Sequence, residues 1–370
     1  MNFTCSRKDL VEAFNTVSKA VSAKPQMPIL SGIYMSAEGS TLELQANNFE
    51  MGIITRIPVN TEVPGQIVVT GKYLQEVVRK LSGDTVNISH DEVQHVANIK
   101  SDTANFKLLS MSSEDFPKVK SPEIFTSFSL KTITLKNLIR RTAYACATEE
   151  SRPIYTGACL NINGNVVSMV ATNTHRLAVE KETIDDNLEN LSFIIPSKTL
   201  WELFKMLDSS DPSNSVKIEC SRKNICFTFD NIYLTSRLID GQFPDYDKVV
   251  PKTTEITATV KTSEMMEAVD RVALISKETE YNSIRFVFSQ DGINISSYSP
   301  DVGRAEEQIS AKVEGPDIDI SFNVKYIVDV LKVIDTEEFV VKLTKPLSPI
   351  DVREKDNDNF IYIVTPVRVN

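Results

Sequence analysis

Two periodicities alternate along the chain. In FTCSRKDLVEAFNTVSKAV, residues 3–21, a strand-like run passes into a stretch whose apolar residues recur every three or four positions, the spacing that gathers one helix face. Strict alternation of apolar and polar follows in STLELQANNFEMGIITRI, as a strand with one covered face requires. Helical spacing returns in GKYLQEVVRKL, residues 71–81. The same order then recurs twice. FSLKTITLKNLIRRTAYACA and TATVKTSEMMEAVDRVALIS match the first segment, with Leu10, Leu138 and Met266 equivalent at steps of 128 residues. SKTLWELFKML and NVKYIVDVLKVI match the second helix, with Lys72, Lys198 and Lys325 spaced by 126 and 127. Phe116-Pro117 and Phe243-Pro244 repeat at 127.

A period near the size of one domain predicts three copies of one unit, over 1–122, 128–250 and 254–370. The connectors SPEIFTS (121–127) and PKTTE (251–255) are rich in Pro, Ser and Thr. Within each unit AEGS, NGN and QDG are expected to separate strands, as in NVVSMVATNTHRLAVE and DGINISSYS. Each unit is therefore α+β, with two helices laid on antiparallel sheet and their other face exposed.

That exposed face carries a pattern. Lys72–Glu76–Arg79, Lys198–Glu202–Lys205 and Lys325–Asp329–Lys332 each place a base, an acid at i+4 and a base at i+7 on one side of the second helix. Ion-pair support of a solvated helix explains any one of these, at tenths of a kcal/mol per pair. It explains less well a net positive stripe at the same place three times. The first helices add Arg7, Lys8 and Lys19, then Lys136, Arg140 and Arg141, then Lys261 and Arg271. Basic faces on a chain of net charge −10 suggest a segregated surface for a polyanion. The stripes hold no aromatic residues to stack bases, and no groove-reading motif occurs, so sequence-independent phosphate attraction is what they offer.

The 370 residues, 41% hydrophobic and 24% charged, are ordinary for a globular protein with ample core. No apolar run approaches the ~20 residues that span a bilayer, and MNFTCSRKDL has no signal-peptide character, so a cytoplasmic address is expected. Cys5, Cys146, Cys159, Cys220 and Cys226 are scattered and odd in number, which suits buried thiols better than disulfides or zinc. His90 and His95 lie in a polar hairpin at a spacing unsuited to a metal. No phosphate-loop, dinucleotide, nucleophile-elbow or zinc-protease motif is present. Neither a metal nor a cofactor is expected. ATNTHRLAV (171–179) sets His175 and Arg176 among the hydroxyls of Thr172 and Thr174. A hydrolase using His175 as base would need a nucleophile and an orienting partner, and Thr172 or Thr174 with Asn173 is a poor set.

Over its whole length the chain resembles the bacterial DNA polymerase III beta subunit family, the replicative sliding clamps. The resembling stretches are PILSGIYM (28–35), SRPIYTGACLNI (151–162), ATNTHRLAVE (171–180), DGQFPDYDKVVPK (240–252), SFNVKYIVDVL (321–331) and TPVRVN (365–370). The resemblance implies a non-catalytic head-to-tail homodimeric ring around double-stranded DNA, with helices lining the hole. It implies as partners the replicative polymerase, the clamp loader, and other polymerases and repair factors that carry a short clamp-binding peptide. No membrane is implied. The alternative is a non-ring nucleic-acid-binding protein.

By the same resemblance, the partner-peptide pocket is formed by Tyr155, Thr172, Thr174, His175, Arg176, Leu177, Pro244, Lys248, Val249, Asn323, Tyr326, Leu347, Pro349, Val364, Thr365, Pro366, Val367 and Arg368. Leu177, Val249, Leu347 and Val364 are expected as its apolar walls. Phe106 and Leu108 are implied to meet Leu274 and Ile275 of a second copy, with Glu306 and Glu307 at the same interface. Thr103 and Asn105 stand where some members carry arginines. The resemblance implies Lys24 and Lys198 as DNA-facing, and the basic helix faces add Lys72, Arg79, Lys136, Arg140, Lys205, Lys325 and Lys332 as expected DNA-facing positions. Where the family often has ATDGHRLA this chain has Asn173 and Thr174, Lys248 stands at a position often arginine, and Asn370 extends past the usual ending.

Overall fold

The structure, a computed structural model, describes residues 1–22, 24–276 and 282–368, with residue 186 described by its backbone only. Asn370 lies outside the described residues. Among those described, six α-helices follow in order: α1 (Arg7–Val17), α2 (Gly71–Lys80), α3 (Thr132–Thr142), α4 (Ser197–Met206), α5 (Thr262–Ser276) and α6 (Val324–Leu331). Two fall in each repeat, where the helical spacing predicts them.

Local chemistry sets the ends. The Ser6 hydroxyl caps α1 by accepting from the Asp9 amide, and Asp9 adds negative charge to the positive end of that helix. Asn323 caps α6 by accepting from the Lys325 amide. Leu10, Ala13, Phe14 and Val17 of α1 are buried, as are Ile327, Val330 and Leu331 of α6, each set one stripe of its helix. A Leu or Phe buried in this way contributes about 1.5–3 kcal/mol of apolar transfer. All five cysteines are buried free thiols.

The strands form antiparallel sheets of thirteen, seven and four strands. The chain packs as two compact units, one of Met1–Ile133 with Glu202–Leu238, the other of Thr134–Trp201 with the chain from Ile239 onward. The first unit holds the thirteen-stranded sheet and the second holds the other two. Packing units and sequence repeats therefore differ, and strand pairing explains why. In the first unit, strand Met51–Pro58 of the first repeat pairs with Ile232–Arg237 of the second, Met51 opposite Ser236 and Gly52 opposite Thr235. In the second unit, Arg176–Pro196 of the second repeat pairs with Phe360–Val364 of the third, Arg176 opposite Val364 and Leu177 opposite Ile363. A sheet edge presents backbone N–H and C=O groups without partners, and joining repeats edge to edge satisfies them.

One expected turn is not a turn. Strand Gly157–Thr172 runs through the NGN sequence at 163–165, paired with Arg176–Pro196 from Gly157 opposite Pro196 to Thr172 opposite Leu177. The register slips on either side of Gly164, whose φ of 63° a glycine adopts without cost. The slip is thus absorbed as an irregularity and the ribbon continues. No helix among the described residues is long and apolar enough to cross a membrane.

Candidate docking site

Thr172 to Arg176 form the turn between the two long strands. Thr174 has φ 75°, a region that β-branched residues rarely occupy, so the surroundings must hold it. The Thr174 amide donates to Thr172 Oγ1 at 3.1 Å. The amides of His175 and Arg176 both donate to Asn173 Oδ1 at 3.0 Å. The Thr172 hydroxyl donates to the Arg176 carbonyl at 2.6 Å. From the third repeat, the Thr365 amide and hydroxyl reach the His175 carbonyl at 2.9 and 3.0 Å. The backbone of His175 is held from both sides while its imidazole stays exposed.

Arg176 is its opposite. Only 5% exposed, it donates through Nη1 to Asp329 at 2.7 Å and through Nη2 to the Tyr144 carbonyl. Its guanidinium lies 5.4 Å from the Tyr144 ring centre and 4.6 Å from that of Tyr326. Tyr326 in turn accepts from Asn173 Nδ2 at 3.2 Å, and its carbonyl accepts from the Tyr362 hydroxyl at 2.9 Å. Arg176 therefore braces the turn from inside. Asp329, which the stripe pattern places beside Lys325 and Lys332, instead pairs with Arg176.

The apolar residues divide in the same way. Leu177 and Val364 are 4% and 0% exposed, so they lie beneath the surface and do not form walls. Leu177 packs with Cys159, Val170, Ile194 and Ile363, and Ile154, Phe243, Tyr246 and Val250 cover that cluster. Val249 and Leu347 are 49% and 58% exposed. Tyr155 stands edge-on to Phe243 with ring centres 6.5 Å apart. Pro244, Lys248 and Arg368 are exposed, and Lys248 pairs with Asp245 at 3.2 Å. Asn323, Pro349, Thr365, Pro366 and Val367 are half-buried, and the Val367 amide donates to the Ser321 carbonyl at 2.8 Å. The sequence reading missed Tyr144, Asp329 and Phe243. Tyr144 had no signal, because its role is set by a cation nearby only in the fold.

The first repeat builds the same turn without the histidine. Ala46-Asn47-Asn48-Phe49-Glu50-Met51 matches Ala171 to Arg176, and Phe49 has φ 70° where Thr174 has 75°. The Phe49 amide donates to Asn47 Oδ1, and the amides of Glu50 and Met51 donate to Asn48 Oδ1. The Arg237 amide reaches the Glu50 carbonyl as Thr365 reaches that of His175. Gly52 replaces Leu177, and a Cβ there would come within 2.7 Å of Val119 Cγ2, so Val119 lies close over it.

Arg141 is buried too, which removes it from the basic face that its sequence position suggests. It bonds Glu354 at 2.8 and 3.0 Å and Asp335 at 2.6 Å, and stands 3.6 Å from Glu180. Burial pushes the Glu180 carboxyl up to about 7, against the pull of Arg141. Burial also raises Glu354, but its bond to Arg141 and the Asp335 amide hold it below its ordinary value.

Of the positions expected to face DNA, Lys24, Lys72, Arg79, Lys198, Lys205, Lys325 and Lys332 are exposed. Lys205 pairs with Glu202 at 2.9 Å. Lys136 and Arg140 are half-buried, and Arg140 binds Asp335 with both terminal nitrogens. His90 bonds the Ser110 hydroxyl at 3.1 Å, and no group of three metal-ligating side chains exists among the described residues. The Thr172 hydroxyl proton faces the Arg176 carbonyl, so Thr172 is not presented to His175 as a nucleophile.

Three copies of a two-helix, antiparallel-sheet module joined through their strands define a three-domain clamp fold. Family models of the DNA polymerase III beta subunit match in order: the N-terminal domain over residues 1–120, the central domain over 129–245 and the C-terminal domain over 247–368. The beta sliding clamp of Bacillus subtilis is 33% identical over the full length of both chains, and its crystal structure superposes with a TM-score of 0.94. A sliding clamp from Pseudomonas aeruginosa, solved bound to griselimycin, is 30% identical with a TM-score of 0.93, again over both whole chains. The chain belongs to the DNA polymerase III beta subunit family, the sliding clamps of DNA replication.

Proposed function

We propose that two copies close head to tail into a ring around duplex DNA in the cytoplasm, giving the replicative polymerase processivity without catalysis of their own. One observation carries closure. Strand Ala104–Met111 pairs with Val96–Ser101 on one side, while on the other only Ser110 and Met111 have partners. Strand Gly303–Ile309 is the last strand of its sheet. Both edges are open, and the implied interface residues lie on or near them. Phe106 and Leu274 are 41% and 65% exposed, with Leu108 and Ile275 beside them. Glu306 and Glu307 lie on the second edge, paired within the chain to Arg304 and Arg271. An edge left open with apolar residues beside it seeks a strand from another copy.

Partners dock their peptide on the turn at His175. The exposed ring and the rim of Val249, Leu347, Tyr155 and Arg368 supply anchors, on a floor of Leu177 and Val364. A floor of this rigidity lowers the ordering cost of binding. Basic residues on the helices attract the backbone of the duplex weakly enough to slide, and Lys24, Lys72 and Lys325 contribute to that field.

The deciding experiment combines native mass with retention on DNA. A dimer loaded on a nicked circle should stay bound, then leave once the circle is cut. Retention after linearisation would favour direct binding without a ring.

A further inference from the structure

The outer face of the third repeat's four-stranded sheet carries a groove of about 810 Å³ that the docking residues only border. Leu347, Val367 and Arg368 form its near end, and all three belong to the proposed peptide pocket. Beyond them lie Ser321, Arg285 and Ser296, which the register sets side by side across three strands, Arg285 opposite both serines. Tyr298, 65% exposed and opposite Arg304, closes the far end. Three arginines line this groove against one carboxylate, Asp319, on a chain whose net charge is −10.

From this arrangement we infer that the groove receives an acidic stretch flanking the docking peptide of a partner protein. The inference rests on the peptide-pocket reading and extends it. Volume and continuity are the first support: the space suits several residues of an extended chain, reached directly past Leu347 and Arg368. Charge is the second. Arg285 is bound to Asp319, yet both side chains are about half exposed, so a ligand carboxylate can replace Asp319 with little loss. Ser321 and Ser296 stand opposite Arg285 in the register and line the groove, where a serine hydroxyl can donate to the same oxygens. A nucleic acid is the weaker occupant. Arg285 and Arg304 are both paired already, and a phosphate track needs a longer run of unneutralised cations than Arg368 supplies.

The test uses the full chain and three labelled peptides: a glutamine-led hydrophobic core, the same core with three glutamates added at one end, and the core with them at the other. One acidic extension, and only one, should tighten binding about threefold to tenfold at low salt, with the gain shrinking as salt rises. Arg285→Glu should abolish the gain and leave core-peptide affinity unchanged, while Arg285→Lys should keep part of it. Equal affinity for all three peptides, or a gain that survives Arg285→Glu, overturns the acidic groove and leaves the pocket standing. Failure of the core peptide itself to bind overturns the pocket reading and the groove with it. A short single-stranded oligonucleotide that displaces the extended peptide but not the core would reassign the groove to nucleic acid.

Discussion

Arg176 and Asp329, 153 residues apart in sequence, meet at 2.7 Å beneath the turn that displays His175. Between two tyrosine rings and against a half-buried carboxylate, the guanidinium is part of the core that gives the turn its shape.

His175 and Arg176 should accordingly fail in different ways when replaced. Arg176→Ala leaves Asp329 without its partner and a void between Tyr144 and Tyr326, and should lower stability by about 3 kcal/mol. His175→Ala removes an exposed ring and should change stability by under ~0.5 kcal/mol while weakening peptide binding. Urea unfolding and peptide titration of both variants separate the two effects. Equal stability loss in the two would sink the distinction.

Thr174 is the second point of tension. At φ 75° a β-branched residue is strained, so Thr174→Gly should stabilise the protein by ~0.5–1 kcal/mol if relief of strain exceeds the added chain entropy. Asn173→Ala should cost ~1–3 kcal/mol, because the amides of His175 and Arg176 share its one oxygen. Melting temperatures of the pair decide both, and a destabilised glycine variant would show the strain at Thr174 to be smaller than the added chain entropy.

Glu180 makes stability depend on pH in a direction unusual for a carboxylate. Burial moves it from an ordinary 4.5 to about 7. Between those values the folded chain holds a proton that the unfolded chain has released, so stability falls as pH rises through this window. Glu354 and Asp335, held low, act oppositely: their contribution is present above ordinary carboxylate values and is lost as pH falls. Glu180→Gln should flatten the decline between pH 5 and 7 and gain about 1–3 kcal/mol above it. Unfolding curves at four pH values test this, and an unchanged slope would remove Glu180 as its source.

The open edges give the last expectation. Leu274→Asp puts a charge at the proposed junction, where a second copy would have to desolvate it, and should convert dimer to monomer without lowering the monomer's melting temperature. Native mass at micromolar protein shows the outcome. A dimer that persists would place the interface elsewhere.

Much of this architecture is legible in the sequence, and the reason is local. The six helices announce themselves through the spacing of residues such as Leu10, Phe14 and Val17, because a helix satisfies its backbone within a few residues. The repeat is legible for the same reason. The burial of Arg176 and Arg141 was not, because a cation reads as surface until its partners appear, and those partners lie 153 and 213 residues away. Nor was the through-running strand at Gly164, since NGN is ordinarily a turn and only the long pairing partner overrides it. The residues expected to form the pocket came from resemblance, and the fold separates exposed ones such as His175 from buried ones such as Arg176.

The pairing of Met51–Pro58 with Ile232–Arg237, and of Arg176–Pro196 with Phe360–Val364, means that the middle repeat has no edge of its own at either junction. A gene cut at residue 122 or 250 would therefore leave each fragment with a raw strand edge where the whole chain has a paired one. Such fragments would seek one another or aggregate. Anyone dissecting this protein for display or reconstitution would do better to divide it inside the second repeat than between repeats.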